Sequence, residues 1–390
     1  MNISAGQNFS NQNALLTFAQ EIVRIPSFSG QEENVARAIA RQMRDLMFDE
    51  VSIDGLGNVL GRIGDGEKII LFESHTDTVQ VHDAEEWQVP PFSGEIKDGW
   101  LWGRGSVDMK SGLAASVFAA AEAREKGWLE GKTVFVSGSV FEEDCDGEGI
   151  KHAMVEKDFT PHVAVICEPS GNQIVLGHKG KAQAIICTHG VSAHGSAPEK
   201  GQNAVYEMAE IIQRVDQMNR NLPAINGRKG TLVLSNISSK AVSLNAVPSQ
   251  CEIYLDRRTV PGETGEMIKA ELDALVAGKN ASWEIDTVHR TAWTGAPITY
   301  RPQHNAWELS PDHPLAQSAV RAYKKVFNTP PSGFDFWDFS TNAVALISKG
   351  IPCVGFGPGE HKLAHMRDER CSIDQINGAC AFYANLINEI

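Results

Sequence analysis

Two nearly continuous apolar runs in the first half of the chain constrain its fold more than any other feature. Lys132–Phe141 and His162–Cys167 carry apolar side chains at successive positions, as strands do when both faces of their sheet are covered. Shorter strand-like runs, Asn58–Ile63 and Lys68–Glu73, come earlier, and an alanine-rich helix is predicted over about Met109–Lys126. This alternation predicts an α/β domain with helices on both faces of its sheet.

The pattern changes at about residue 179 and returns to α/β after residue 292. The segment between these positions predicts a compact α+β sandwich, so the 390-residue chain is expected to form one α/β catalytic domain (1–178 and 293–390) interrupted by an inserted domain (179–292). The elements predicted for the insert are strands at Lys181–Thr188, Thr231–Ser235, Cys251–Arg257 and Ser282–His289, and helices at about Asn203–Met218 and Glu263–Leu275.

Composition excludes several classes of protein. Lys plus Arg is 35 and Asp plus Glu is 49, which gives a net charge of −14, so binding to nucleic acid or to an anionic membrane is not expected. No apolar run approaches the roughly 18 residues of a membrane helix. No Lys or Arg precedes Arg24, and the seven cysteines include no C-x-x-C pair. These features predict a cytoplasmic protein with free thiols.

Metal-binding residue types follow the predicted strands. Lys68–Glu73 leads into His75 and Asp77, and a carboxylate two residues after a histidine can accept a hydrogen bond from the second ring nitrogen of a metal-bound imidazole. The alternative is an ordinary loop histidine beside a turn aspartate. Glu168 directly follows His162–Cys167, at the end of a strand where open α/β sheets bind ligands.

The segment Glu142–Gly147 contains four acidic residues in five positions. Of two adjacent carboxylates at a strand end, one can bind metal while the other takes a proton from a metal-activated water. A solvated acidic loop is the alternative.

Two glycine-rich segments complete the set of candidates. Asp108 follows Gly103 and Gly105 and precedes the alanine-rich helix, where it could bridge two metal ions or simply serve as the helix N-cap. No third glycine completes a dinucleotide-binding fingerprint there. The second segment, Gly355–Gly359, precedes His361 and His365, and its backbone could approach a substrate closely.

Taken together, these motifs resemble the M20 family of metallopeptidases and amidohydrolases, which includes acetylornithine deacetylase, succinyl-diaminopimelate desuccinylase and glutamate carboxypeptidases. The resemblance runs from Ile25-Pro26-Ser27 to His365. Within the family, the chain is most similar to a subgroup of selenium-metabolism hydrolases. The segments that carry this similarity are Glu142–Gly147, His194–Glu199, Asp256–Arg258 and Phe339–Asn342.

The resemblance implies a ligand for each position of a two-metal site. Asp108 would bridge two divalent metal ions, with His75 and Glu168 completing one site and Glu143 and His365 the other. The segment from Ala364 to Glu369 favours His365 over His361 as the terminal ligand. Zinc is the expected metal, and cobalt or manganese would also suit these ligands.

The resemblance also implies roles for the remaining site residues. Glu142 would be the general base and then the acid, and Asp77 would orient His75. The inserted domain would be a lid and dimerisation domain of a homodimer, whose His194 reaches the partner subunit's active site to stabilise the oxyanion. The substrate carboxylate would be held by Arg258, Asn245 and the backbone of Gly359.

The expected function is hydrolysis of the amide bond of an N-acyl or N-carbamoyl amino-acid-like substrate through a metal-activated water. A metallo-exopeptidase that acts on short peptides is the alternative with the same mechanism, and a dimeric binding protein without catalysis is the alternative from another class. One position departs from the family pattern. Many members carry Asp where this chain has Asn342, which leaves the substrate contacts of that loop open.

Overall fold

The computed structural model describes residues 12–390, so residues 1–11 of the predicted first catalytic segment lie outside the described residues. The helices pack through apolar faces; in the second helix, for example, Val35, Ile39 and Met43 are fully buried. The helices are α1 (Gln12–Val23), α2 (Glu33–Asp45), α3 (Ser111–Glu125), α4 (Glu148–Glu156), α5 (Ala204–Asn221), α6 (Gly265–Val276), α7 (Pro314–Phe327), α8 (Ala343–Ile347) and α9 (Ile373–Glu389).

The strands of the first part of the chain, up to residue 178, are β1 (Glu50–Ile53), β2 (Val59–Gly64), β3 (Lys68–His75), β4 (Glu95–Lys97), β5 (Trp100–Trp102), β6 (Lys132–Ser139), β7 (Val163–Ile166) and β8 (Val175–His178). The strands that follow are β9 (Gly180–His189), β10 (Ala224–Ile225), β11 (Arg228–Lys229), β12 (Thr231–Lys240), β13 (Gln250–Thr259), β14 (Ala281–Ile285), β15 (Val288–Thr291), β16 (Pro297–Tyr300), β17 (Gln303–His304), β18 (Trp307–Glu308), β19 (Asp335–Trp337), β20 (Cys353–Gly355) and β21 (Arg370–Ser372).

A nine-stranded mixed sheet forms the centre of the α/β domain. Its order is β1-β2-β6-β3-β7-β20-β8-β18, with β19 paired to β8. Strands β6, β3, β7 and β20 are mutually parallel, whereas β1, β2 and β18 pair antiparallel. The carboxyl ends of four adjacent strands therefore lie at one edge of the sheet. The mixed sheet flanked by helices confirms the predicted fold class.

The buried alanine-rich helix α3 begins later than predicted. It starts at Ser111 rather than Met109, and α9 packs against it. The small alanine side chains let α3 lie close to its neighbours. The residue at the N-cap position is Lys110, so Asp108 is not the N-cap of this helix. Asp108 has φ −120° and ψ 95°, outside the helical region.

The inserted region has its own antiparallel sheet, of order β12-β13-β9-β14 with β17 paired to β9. Burial alternates along β9 and β13, because one face of the sheet packs on α5 and α6 through residues such as Ile186, Met208 and Leu272. This separate layer confirms the predicted α+β insert. The predicted strand Ser282–His289 is divided into β14 and β15. The boundaries at 178/179 and 292/293 stay predictions, and β17 joins this sheet beyond residue 292.

A third, small sheet has the order β21-β5-β4, with both pairs antiparallel. Arg370 at the start of β21 lies opposite Trp102 at the end of β5. The segment after Trp102 and the segment before Arg370 therefore leave this sheet side by side. All seven cysteines are free thiols. Among residues 12–390, no helix combines the length and apolar character needed to cross a membrane.

Candidate metal centre

Parallel strand order brings the predicted ligands of the first half of the chain to one place. His75 is the last residue of β3, Glu142 and Glu143 follow β6, and Glu168 follows β7. Because these strands are parallel, their carboxyl ends share one edge of the sheet. His75 Nε2 lies 3.6 Å from Glu168 Oε1.

Asp108 lies between the two predicted histidine ligands. Its Oδ1 is 2.9 Å from His75 Nε2, and its Oδ2 is 3.2 Å from His365 Nε2. His365 Nε2 is also 3.1 Å from Glu143 Oε1. Each oxygen of one carboxylate thus faces a different imidazole. The five predicted ligands lie together, and their division into two sets stays a prediction.

The charges of this cluster favour bound cations. Burial, followed by the negative charge of Asp108, raises the pKa of Glu168 and of Glu143. Hydrogen bonds to Asp108 and Glu143 raise the pKa of His365 to about 10. Burial would lower the pKa of His75, but Glu168 and Asp108 outweigh it and the pKa is raised. The buried carboxylates therefore require compensating positive charge, and two imidazoles with carboxylate oxygens form a donor set that suits divalent metals.

The carboxylate of Asp77 contacts the acidic segment more closely than it contacts His75. Its carboxylate accepts hydrogen bonds from the backbone N–H groups of Glu142 and Glu143 at 3.0 and 3.2 Å and from Ser29 Oγ at 2.8 Å. His75 Nδ1 is 3.5 Å from Asp77 Oδ1 but 2.9 Å from the backbone oxygen of Asp77. Asp77 therefore joins β3 to the segment after β6, beyond its predicted role at His75.

The carboxylate of Glu142 forms neither a hydrogen bond nor an ion pair with the other described residues. Glu142 is buried, and one of its carboxyl oxygens lies within 4.8 Å of a ring nitrogen of His75 and of a carboxyl oxygen of Glu168. Among the described residues, no hydrogen bond reaches its carboxylate. Burial raises its pKa well above the usual value, and the nearby charges of Glu168 and Asp146 raise it further against the opposing effect of His75. A carboxylate in this state can accept a proton and later release it.

The cluster opens into a cavity of about 310 Å³ between the α/β domain and the inserted region. Arg258 reaches it from β13, although its guanidinium also pairs with Asp256 at 2.9 Å. The lining residues are Asp108, Glu142, Glu143, Asp146, Glu168, Lys181, Arg258, Phe339, Ser340, His361, Ala364 and His365.

Three predicted residues lie away from this cavity within one chain. His194 and Asn245 line a separate cavity of about 570 Å³ on the inserted region, where Gly195 N donates to Asn245 O at 2.6 Å. The Gly359 N–H donates to Gln375 Oε1 at 2.9 Å. Of the three predicted carboxylate-binding residues, only Arg258 lines the cavity, and the contacts of Gly359 give no support to its predicted role.

Sequence reasoning missed a polar group in the cavity wall. Asp146 accepts a hydrogen bond from Lys181 Nζ at 2.7 Å and another from Ser340 Oγ, and these contacts outweigh burial and lower the pKa of Asp146. Asp146 belongs to the acidic segment that the sequence singled out, whereas nothing near Lys181 in the sequence indicates this contact. The group joins β9 of the inserted region to two segments of the α/β domain.

Asn342 has a structural role that accounts for the departure at this position. Its Nδ2 donates to Glu73 Oε1 at 2.8 Å, and its Oδ1 accepts from Gly147 N at 2.6 Å. The side chain is buried and does not line the cavity. Of its aromatic neighbours, Phe339 lines the cavity and Trp337 is buried with its indole N–H bonded to Pro169 O.

A second group of His and acidic residues lies outside the cavity but is occupied by protein donors. Asp54 Oδ1 accepts from the N–H groups of residues 56, 57 and 58, and Asp54 Oδ2 accepts from Asn58 Nδ2 at 2.7 Å. His152 Nδ1 is 3.0 Å from the same Oδ2, and Glu156 Oε2 accepts from Gly55 N. These hydrogen bonds hold the loop around Asp54 in place, which explains why these histidine and acidic side chains lie together.

The sequence of this chain is similar to a known protein family and to individual proteins. The profile of peptidase family M20/M25/M40 matches residues 71–389. The uncharacterized protein YgeY of Escherichia coli (strain K12) is 34% identical over 378 residues, which are 96% of this chain and 93% of YgeY. A succinyl-diaminopimelate desuccinylase of Cereibacter sphaeroides (strain ATCC 17029 / ATH 2.4.9) is 27% identical over 382 residues, 95% of this chain and 97% of that protein.

The fold is also shared with solved structures. The crystal structure of aminopeptidase PepT from Bacillus cereus ATCC 10987 superimposes with a TM-score of 0.73 at 22% identity, covering 97% of this chain and 98% of that one. The likeness therefore extends over both the α/β domain and the inserted region. The chain belongs to peptidase family M20/M25/M40 and is a metallohydrolase that acts on peptide or amide bonds.

Proposed function

We propose that this protein hydrolyses the amide bond of an N-acyl or N-carbamoyl amino-acid-like substrate at a two-metal centre. The observation that carries the proposal is the Asp108 carboxylate, whose two oxygens face two different histidines 2.9 and 3.2 Å away. His75 and Glu168 would complete the ligands of one metal, and Glu143 and His365 would complete those of the other. Zinc is the proposed metal, and cobalt or manganese suits the same donors.

Glu142 is the proposed proton carrier. Two divalent cations at these ligands would lower the pKa of water and polarise the substrate carbonyl. The Glu142 carboxylate then accepts a proton from the attacking water and delivers it to the leaving nitrogen. Its carboxylate lies in the cavity wall without a hydrogen-bonding partner among residues 12–390, and this position and its raised pKa support both steps.

Arg258 is the proposed contact for a substrate carboxylate. It lines the cavity, and a guanidinium binds a carboxylate through two parallel hydrogen bonds. Lys181 in the same wall pairs with Asp146, and the Arg258 guanidinium pairs with Asp256, with which a substrate carboxylate would compete. An amino-acid-like substrate with one carboxylate fits this arrangement.

We also propose that the protein is a homodimer in which His194 and Asn245 act on the partner's cavity. Both residues are remote from the metal ligands of their own chain, in a cavity bordered by the exposed side chains of Tyr206 and Leu244. The ten-residue strand β12 is an edge strand with apolar side chains exposed, including Ile237. An exposed apolar edge of this length is expected to be covered by a second copy. His194 would then donate a hydrogen bond to the developing oxyanion.

Metal analysis of the purified protein followed by a substrate screen tests the proposal. Two divalent metals per chain are expected, together with hydrolysis of N-acyl or N-carbamoyl amino acids. Cleavage of dipeptides alone would favour the exopeptidase alternative, and bound metal without hydrolysis of any amide would favour the binding-protein alternative. The Glu142→Gln variant, purified in the same way, controls for contaminating hydrolases.

Co-expression of two inactive variants tests the shared site. A dimer of one Glu142→Gln chain and one His194→Ala chain has one site that carries both defects and one site that carries neither. Random pairing is expected to restore about a quarter of the wild-type activity. No recovery in a mixture that contains such dimers would show that His194 acts within its own chain or not at all.

A further inference from the structure

Arg104 and Glu369 form a buried ion pair beside the metal centre, and the proposed mechanism uses neither residue. Arg104 Nη1 lies 2.6 Å from Glu369 Oε2, and the side chains are 5% and 0% exposed. Each belongs to a segment that the sequence singled out for another residue, Arg104 to the one before Asp108 and Glu369 to the one after His365. Among the described residues, Arg104 Nε is buried without a hydrogen-bond partner, so burial of this pair is not by itself evidence that it stabilises the fold.

The second oxygen of Glu369 holds the backbone at Asp108. Glu369 Oε1 accepts hydrogen bonds from the N–H groups of Val107 and Asp108, at 2.8 and 3.2 Å. Asp108 itself has non-helical dihedral angles. The carboxylate of Glu369 therefore restrains the backbone from which the bridging carboxylate projects.

The guanidinium of Arg104 holds the other loop. Its Nη1 donates to Met366 O at 3.3 Å and its Nη2 donates to His365 O at 3.4 Å. The imidazole of His365 is half exposed, and its ring contacts are to Glu143 and Asp108. Arg104 thus restrains the backbone of a histidine whose imidazole is half exposed.

The small sheet places the two halves of this pair side by side. Arg370 pairs with Trp102 across β21 and β5, and Gly103 N donates to Glu369 O at 2.9 Å. The chain leaves β5 toward Asp108 and enters β21 from His365. Asp108 and His365, which are far apart in the sequence, therefore lie on segments that adjoin the neighbouring strands β5 and β21. The ion pair links these two segments at the point where they leave the sheet.

We propose that Arg104 and Glu369 are positioning residues that set the distance between Asp108 and His365 and thereby populate the second metal site. The inference rests on the proposed two-metal centre. His75 and Glu168 hold the other metal from β3 and β7 and make no contact with the ion pair. Loss of the pair therefore weakens the site that contains His365 more than the site that contains His75.

Cobalt titration of the metal-free protein, followed by calorimetry and visible absorption, tests this assignment. The His365→Ala variant identifies which of the two binding steps belongs to its site. Glu369→Gln is expected to weaken that same step by about 10–100-fold, as outer contacts of metal ligands commonly do, and to change the other step less. Glu369→Ala, which removes the acceptor for both N–H groups, is expected to have the larger effect, and Arg104→Lys to resemble Glu369→Gln.

A second buried ion pair provides the matched control. Arg257 and Glu263 are each 3% exposed and lie in the inserted region. Glu263→Gln removes a comparable charge and is expected to leave both cobalt steps unchanged. If the Glu369 variants bind two cobalt ions as the wild type does, or lose both steps equally, the assignment is wrong. If Glu369→Ala does not fold, Glu369→Gln and Arg104→Lys decide. If the wild type itself binds fewer than two ions, the two-metal centre fails instead.

Discussion

Replacing Asp77 by asparagine tests which part of the site this carboxylate holds. The sequence predicts that Asp77 orients His75, yet the nearest acceptor to His75 Nδ1 is the backbone oxygen of Asp77, at 2.9 Å. That oxygen is retained in Asp77→Asn. The hydrogen bonds that change are those from the N–H groups of Glu142 and Glu143 and from Ser29. The substitution should therefore displace the acidic segment and leave the imidazole of His75 in place.

The cost of this substitution follows from counting the donors. An asparagine side chain offers one acceptor oxygen. One of the two backbone N–H groups that donate to the Asp77 carboxylate therefore faces an amide NH2 group instead. A buried N–H left without an acceptor costs about 1–3 kcal/mol. Asp77→Asn is expected to lower the free energy of unfolding by about 1–3 kcal/mol, and Asp77→Ala, which leaves both N–H groups unpaired, by about 2–6 kcal/mol.

Urea unfolding of the metal-free variants measures these differences, and cobalt titration with steady-state kinetics locates the effect. We expect kcat to fall for Asp77→Asn, because Glu142 moves, while the cobalt step that His75→Ala abolishes keeps its affinity. Asn13→Ala, at the exposed start of α1, controls for handling of the protein. If instead Asp77→Asn weakens the step assigned to His75 and leaves kcat unchanged, the carboxylate acts through the histidine rather than through the acidic segment.

Two further predictions concern other acids of the domain. Glu142→Gln is expected to retain two metals by elemental analysis while kcat falls by about 10²–10⁴-fold; near-normal turnover would remove Glu142 as the base. Burial raises the pKa of Glu73 to about 8, so the stability associated with its neutral form is present below pH 4.5 and is lost as the pH rises toward 8. Relative to wild type, Glu73→Gln is therefore expected to gain stability between pH 5 and 8, by at most about 1.4 kcal/mol per pH unit, in urea unfolding of the metal-free proteins. The same stability difference between the variant and the wild type at pH 5 and at pH 8 would contradict this prediction.

The parts of the site that could be predicted are those set by a strand and the residues just after it. His75 and Glu168 stand at the ends of strands whose apolar runs are visible in the sequence, and parallel pairing of those strands brings the ends together. The fold class followed from the same runs and from the change of pattern at about residue 179. Local sequence contains this information because burial of a strand depends on the residue types within it.

The parts that could not be predicted depend on contacts between distant segments. Lys181 meets Asp146, and Arg104 meets Glu369, through tertiary packing that leaves no periodic pattern in the sequence. Asn342 could be identified as unusual, but its bonds to Glu73 and Gly147 required coordinates. The start of α3 also differed, because Glu369 holds the backbone at Asp108 in a non-helical conformation.

In the acidic segment after β6, four similar acidic side chains differ in the groups they contact, and these contacts rather than the residue types point to different roles. Glu143 contacts His365, and Asp144 pairs at the surface with Arg290 at 2.7 Å. Asp146 is held by Lys181 and Ser340. Of these four acids, Glu142 alone has a carboxylate without a hydrogen-bonding partner among the described residues, and it lines the cavity. A carboxylate already committed to a cation or a hydroxyl donor is a poor proton acceptor, so the contacts of its three neighbours support the proposal that Glu142 is the proton carrier.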